Sequence, residues 1–172
     1  MLNYTNQQNN YTTKQGTKMK PGHFRIYKSQ AAASFQFIPP KTDEWNRISK
    51  NGCIMIEIAP INQKISSEQS KYYQWDKKIL FAFGMTDLTE FFSNPNNPPS
   101  ILHSKPKSTI TKKIEFLPGE GKYEGTMRMI LHEYDKSNGG HRYTMVPLSM
   151  GEYEILKQLF LSVAPKMIGW IC

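Results

Sequence analysis

Residues 27–37 read Tyr-Lys-Ser-Gln-Ala-Ala-Ala-Ser-Phe-Gln-Phe, and Pro165-Lys166-Met167-Ile168-Gly169-Trp170 closes the last apolar stretch. The first segment reads as a strand carrying a cation, three tiny side chains, and then two aromatics on one face. Just before it, Phe24-Arg25-Ile26-Tyr27-Lys28 alternates apolar and polar, the pattern of a half-buried strand. Ala31 to Ile38 alternates again, with Ala33, Phe35 and Phe37 on one face, until Pro39-Pro40 removes two backbone donors and ends it. Gly52 to Ala59 follows as a buried strand, with Ile54, Ile56 and Ile58 together and Pro60 as its stop.

Further along, residues 61–71 are polar and read as a loop or hairpin tip. Tyr72 to Phe83 reads as one long strand, because Tyr73, Trp75, Ile79, Phe81 and Phe83 share a parity that only Lys77 breaks. Thr86 is placed to cap a short helix, and the Asn/Pro run 94–99 marks a surface loop. Ile101–Ser104, Thr109–Leu117, Tyr123–Tyr134 and Arg142–Val146 read as four more strands, the last two joined by a turn at Ser137-Asn138-Gly139-Gly140. The period then changes. Ser149 and Glu152 have capping-box spacing, and Leu156, Leu159, Phe160, Val163 and Met167 recur at helical intervals, with Pro165 to kink or end the helix. The expected fold is α+β: two roughly four-stranded antiparallel sheets packed with a C-terminal helical element. A single domain over 22–172 follows a polar, basic tail at 1–21.

The 172 residues, 38% hydrophobic, suffice for one core, and a formal net charge of +8 favours a polyanionic partner. Nucleic acid, an acidic membrane surface and an acidic protein all fit that charge. The first 42 residues hold six cations and no acid; Asp43 is the first. The tail is rich in Asn, Gln and Thr and has no apolar centre, so it does not read as a secretory signal. Two readings stand for it: a disordered tail, or a mitochondrial-type presequence that lacks the usual arginines. No apolar run is long enough to span a membrane. Two cysteines, Cys53 and Cys172, make neither a disulfide framework nor a zinc site.

Enzymatic motifs are missing. There is no Walker-type phosphate loop and no nucleophile elbow. His23, His103, His132 and His141 are scattered, and Asp76 and Asp87 read as ion-pair partners. No catalytic residue, cofactor or metal is expected. Cations and aromatics, however, interleave along four strands: 24–28, 73–78, 112–116 and 141–143. Single-strand binders combine a positive groove with rings on which bases stack, and Ala31, Ala32 and Ala33 would let a base approach the sheet. Against this stands the ordinary reading, in which alternate aromatics are core and the lysines between them a solvated face. The long helix carries few cations, so it reads as packing or oligomer surface rather than a reader of duplex grooves.

In order, residues 26–45, 52–60, 72–79, 85–92 and 162–170 resemble the successive motifs of the Whirly family. Lys28 stands at the first lysine of its Lys-Gly-Lys-Ala-Ala-Leu-Thr signature, and Ala31 and Ala32 at its alanine pair. Ser29, Gln30, Ala33 and Ser34 depart from it. The resemblance implies two four-stranded sheets, C-terminal helices that assemble a homotetramer, and binding of single-stranded DNA or RNA with little sequence demand. It implies work in plastids, mitochondria or the nucleus, in nucleic-acid maintenance, transcription or RNA metabolism, and for this chain the mitochondrion is expected, with the nucleus as the alternative. A structural subunit of a larger mitochondrial assembly, such as a ribosome, is the alternative role. Under this reading Lys28, Gln30, Lys77, Lys78, Lys112 and Arg142 contact phosphates, and Tyr27, Phe35, Trp75 and Tyr143 stack on bases or wall the groove. Leu156, Leu159, Phe160, Val163 and Trp170 pack the helices and hold the oligomer.

Overall fold

The computed structural model describes residues 23–62 and 73–170. The tail expected at 1–21, most of the loop expected at 61–71, and Cys172 lie outside the described residues. Strands β1 (His23–Tyr27), β2 (Ala31–Ile38), β3 (Lys41–Thr42), β4 (Ile48–Lys50), β5 (Cys53–Pro60) and β6 (Ile79–Phe83) lead into helix α1 (Met85–Ser93). Strands β7 (Ile101–Ser104), β8 (Ile110–Pro118), β9 (Thr126–Asp135) and β10 (Gly140–Ser149) lead into helix α2 (Met150–Met167). The first sheet has the order β1-β2-β5-β6 and the second β10-β9-β8-β7, with every pairing antiparallel. Strands β3 and β4 form a separate small hairpin between β2 and β5. The α+β architecture of two four-stranded sheets with a C-terminal helix is therefore the one the sequence predicts.

One core joins both inner faces to both helices. Ile54, Ile56, Ile58, Phe81 and Phe83 come from the first sheet, Ile114, Phe116, Met129 and Leu131 from the second, and Phe91, Leu156 and Phe160 from the helices. Phe83 stacks on Phe160 at 5.0 Å, and Phe91 meets Phe83, Phe116 and Phe160 edge-on, the geometry that aromatic quadrupoles favour. Tyr153 is fully buried, and its hydroxyl donates to the Pro95 carbonyl at 2.7 Å. That bond ties the Asn/Pro loop to α2, and burial pushes the phenol's pKa well up.

The ends of α2 are fixed as its sequence requires. The Ser149 hydroxyl accepts the Glu152 N–H at 3.2 Å, and the Glu152 carboxylate accepts the Ser149 N–H at 2.7 Å. At the other end the Gly52 N–H donates to the Met167 carbonyl at 2.8 Å. A Cβ on Gly52 would stand 2.7 Å from the Ile38 carbonyl oxygen and 3.2 Å from Met167 Cα, so the approach of helix to strand requires glycine there. Pro165 sits inside the last turn of α2.

Three local expectations change. The segment 27–37 is not one strand: β1 ends at Tyr27, and a turn returns the chain as β2 at Ala31. Tyr72–Phe83 is not one strand either. A 3-10 turn at Trp75–Lys77 precedes β6, and Tyr73 meets Ile61 in an isolated bridge. Helix α1 starts two residues earlier than a Thr86 cap would allow. Gly84 is its N-cap, and the Gly84 N–H donates to Asp87 Oδ2 at 2.7 Å.

Candidate nucleic-acid interface

The outer face of the first sheet is built on alanine. Tyr27 pairs with Ala32, and Ala32 with Ala59, so the three form one row across β1, β2 and β5. Ala32 and Ala59 are fully buried beneath Tyr73, with Ile61 and Trp75 packed alongside. The small side chains thus make room for the chain's own rings, and Ala31 and Ala33 point into the core. The Tyr73 hydroxyl donates to the Lys28 carbonyl at 2.8 Å, and burial, with Tyr27 beside it, raises its pKa. The Tyr27 ring lies 5.5 Å from Tyr73 and is 54% exposed. The Arg25 guanidinium lies 5.7 Å from the centre of the Trp75 ring, a cation–π contact. The result is a platform of Arg25, Tyr27, Tyr73 and Trp75.

Phe35 does not belong to it. It pairs with Phe24 across β1 and β2, is 5% exposed, and faces the core, so it has no ring face to offer a base. Alternation decides this: Phe35 shares its side of β2 with Ala33, and Tyr27 shares its side with Ala32.

The second sheet carries a different platform. Its outer face aligns Lys113, His132 and Tyr143 in one row and Thr111, Tyr134 and His141 in the next. The His141 ring stacks on Tyr134 at 4.3 Å with planes 5° apart, and Tyr143 lies 5.9 Å from His141 and is 64% exposed. His132 Nδ1 is 3.1 Å from His141 Nε2, and His132 Nε2 is 2.8 Å from Glu115 Oε2. The other Glu115 oxygen accepts from Ser100 and from Lys113, each at 2.9 Å. Burial works to raise the Glu115 pKa, but the bonds from Lys113, Ser100 and His132 hold it below the usual glutamate range. Burial also lowers the His132 pKa, and neighbouring Lys113 adds to that against the pull of Glu115.

Most of the expected phosphate ligands are held by carboxylates. Lys28 Nζ binds both Glu152 oxygens at 2.7–2.8 Å, joining the β1–β2 turn to the start of α2. Lys78 pairs with Glu57 at 2.6 Å. Lys112 and Arg142 share Glu133, at 3.2 and 2.7 Å, and also donate to the edge of the first sheet. Lys112 reaches the Leu80 carbonyl and Arg142 the Lys77 carbonyl, so the pair fastens the two sheets together. Gln30 is exposed in its turn. Lys77 is exposed, and neither it nor Arg25 has a carboxylate partner among the described residues. Arg142 lies between His141 and Tyr143 in sequence but points to the opposite face of β10, where it reaches the turn that carries Trp75.

On α2, Leu156 and Phe160 are wholly buried and serve the protomer's own core. Leu159 and Val163 line an apolar groove of about 310 Å³ against Phe24, Phe35, Phe37 and Ile54. Trp170 is 71% exposed, and Ile155 and Leu161, absent from the sequence reading, are about half exposed. Among the described residues no group of three His, Cys, Asp or Glu is placed to hold a metal ion. No described helix is long and apolar enough to cross a membrane.

Residues 26–159 match the family described as Whirly transcription factor. The chain belongs to the Whirly family. It is similar to the mitochondrial single-stranded DNA-binding protein WHY2 of Arabidopsis thaliana, 24% identical over 163 residues that cover 86% of this chain and 63% of that one. It is also similar to the chloroplastic single-stranded DNA-binding protein WHY1 of the same plant, 28% identical over 166 residues covering 87% and 57%. The chain thus spans less than two thirds of the length of these relatives. The crystal structure of Arabidopsis thaliana WHY3 superposes with a TM-score of 0.73 at 20% identity, covering 87% and 89% of the two chains. The structure of the plant transcriptional regulator PBF-2 gives 0.74, also at 20% identity, covering 90% and 86%. Both confirm the Whirly fold.

Sequence reading missed several members of the two platforms. Arg25 was legible, since it lies two residues before Tyr27 and shares its parity. The Tyr134–His141 pair was legible from the Asn138-Gly139 turn, which fixes hairpin register. Tyr73 was not, because its position depends on a turn that hides its parity.

Proposed function

We propose that this Whirly chain binds single-stranded DNA on the outer faces of its two sheets, without base-specific readout and without catalysis. The observation that supports this best is the first platform: a guanidinium over Trp75 with no carboxylate partner among the described residues, beside a tyrosine ring more than half exposed. Single-strand binding needs this combination of cation and open π-face. The net charge of +8 and relatives named for single-stranded DNA binding point the same way. Arg25 and Lys77 contact phosphates, while Tyr27, Trp75 and Tyr143 stack on bases. Lys28 acts chiefly by holding α2.

Fluorescence anisotropy of a labelled 32-mer, as single-stranded DNA, single-stranded RNA and duplex across a salt series, tests this. Single-stranded DNA should bind well above duplex. Arg25→Ala and Lys77→Ala should each flatten the log K against log salt slope by about 0.7, the counterion release of one phosphate contact. No binding at low salt, or equal binding of duplex, overturns the reading. Tighter binding of RNA than DNA moves the ligand class to RNA.

Self-association through α2 belongs to the same proposal. The apolar groove and the exposed Ile155, Leu161 and Trp170 lie on or next to one helix, and a second copy of this chain would cover them. Light scattering should give a tetramer, which Leu161→Glu dissociates; a monomeric wild-type protein refutes it. The compartment we assign is the mitochondrion, in line with the mitochondrial relative. Imaging of a tagged full chain in the nucleus would refute that.

A further inference from the structure

The second platform contains a hydrogen-bond relay that crosses three strands: Glu115 on β8, His132 on β9 and His141 on β10. A carboxylate only accepts, so its 2.8 Å contact places a proton on His132 Nε2. In the neutral ring His132 Nδ1 is then a lone pair, and the 3.1 Å contact requires the proton of that bond to sit on His141 Nε2. His141 Nδ1 is left over. It has no protein partner among the described residues, and its ring lies on the exposed face. At neutral charge this nitrogen offers a lone pair, which repels a phosphate oxygen. After one protonation it offers a charged N–H, which binds one.

We propose that His141 is a proton-gated phosphodiester ligand on the outer face of the second sheet, set by the Glu115–His132 relay. The inference rests on the single-strand reading above. The surroundings favour a proton on the outer ring of the pair. The Tyr134 face lies 4.3 Å from His141, where an imidazolium gains a cation–π contact. On His132, burial and Lys113 act against charge and outweigh the pull of Glu115. Two imidazoliums cannot share a 3.1 Å bond, so the pair takes up one proton while the bond lasts.

The other groups facing the relay are accounted for. On β8, Lys113 is committed to Glu115, and Ser100, ahead of β7, bonds the same oxygen. Tyr143 on β10 flanks His132 and His141 with its ring. In the hollow beside His141, Glu133 is paired with Arg142, and Asp135 accepts both the backbone and hydroxyl donors of Ser137. Lys113 and Arg142 are thus each matched by a carboxylate, and the Ser137 donors occupy Asp135.

The test is anisotropy of a labelled single-stranded dT 32-mer at pH 5.8 and 7.8, at constant ionic strength, for wild-type and His141→Phe. The phenyl ring keeps the stack on Tyr134 and removes the proton. Wild-type affinity should rise by about three- to tenfold at the lower pH beyond any rise in the variant, the size of one charge-assisted contact at a screened surface. Equal pH dependence in the two proteins overturns this inference and leaves the single-strand reading intact. No binding at either pH overturns the single-strand reading instead. The histidine NMR titration stands apart from binding: His132 and His141 should shift together and take up one proton, and two independent protonations would overturn the relay.

Discussion

The two sheets present outer faces of unlike construction. The first platform is assembled from segments far apart in sequence, with Arg25 and Tyr27 from β1 and Tyr73 and Trp75 from the approach to β6. Tyr73 is wedged over two buried alanines and bonded to the Lys28 carbonyl. The second is a ladder of rings on the β9–β10 hairpin, laid on the surface and bonded to a carboxylate of the neighbouring strand β8. One aromatic face is therefore part of the fold's own packing, and the other is added to a sheet that would stand without it. Mutations of similar size should act through stability in the first case and through ligand affinity in the second.

The largest test of that contrast is a pair of alanine substitutions. Tyr73→Ala removes a buried ring, uncovers Ala32 and Ala59, and loses a hydrogen bond. It should destabilise the fold by about 3 kcal/mol, in the range of large-to-small changes in cores. Tyr143→Ala removes a ring that is mostly exposed and should change stability by about 0.5 kcal/mol or less. It should nevertheless weaken single-strand binding by about 1–3 kcal/mol, as loss of a stacking partner does. Urea titrations and anisotropy on both variants check this, and equal destabilisation would dissolve the distinction.

A middle-sized effect concerns acid. Glu115 and Glu133, both on the second sheet, are held below the usual glutamate range. For Glu133, burial opposes this, but the bonds from Arg142 and Lys112 outweigh it. A carboxylate with a depressed folded pKa stabilises above its unfolded value and loses that contribution as pH falls through the folded one. The contribution of these two glutamates should thus be flat above about pH 5 and decline below the ordinary glutamate value of 4.5. Glu133→Gln, which releases both cations that fasten the sheets, should cost about 1–2 kcal/mol at pH 7. It should also make the acid decline shallower. A decline as steep as the wild-type's would place the acid-sensitive group elsewhere.

Legibility followed the same division. Elements whose pattern repeats without interruption were readable: β2, β5, the β9–β10 hairpin, and α2 with its Ser149–Glu152 box all follow from alternation, turn chemistry and capping. The segment 73–83 misled because parity counts only while the backbone stays extended. The 3-10 turn at Trp75–Lys77 puts Tyr73 and Trp75 on the outer face while Ile79, Phe81 and Phe83 face the core. Ion pairs were the other blind spot. Lys28 and Glu152 are 124 residues apart, and no local pattern shows that one side chain binds the other.

That ion pair sets the smallest test, and it bears on the lysine read as matching the first lysine of the Whirly signature. The two side chains are 25% and 29% exposed, partly screened, so their coupling should be about 1 kcal/mol in a double-mutant cycle of Lys28→Met and Glu152→Gln. For Glu152, burial raises the pKa but the bonds from Lys28 and Ser149 prevail and hold it low. Lys28→Met should therefore move the Glu152 pKa back toward its ordinary value and weaken the start of α2. The salt slope of single-strand binding should stay within error, in contrast to Arg25→Ala. If Lys28→Met flattens that slope by about 0.7 instead, the lysine leaves Glu152 for a phosphate on binding. The first platform would then carry its signature cation to the ligand, and release of α2 would accompany the bound state.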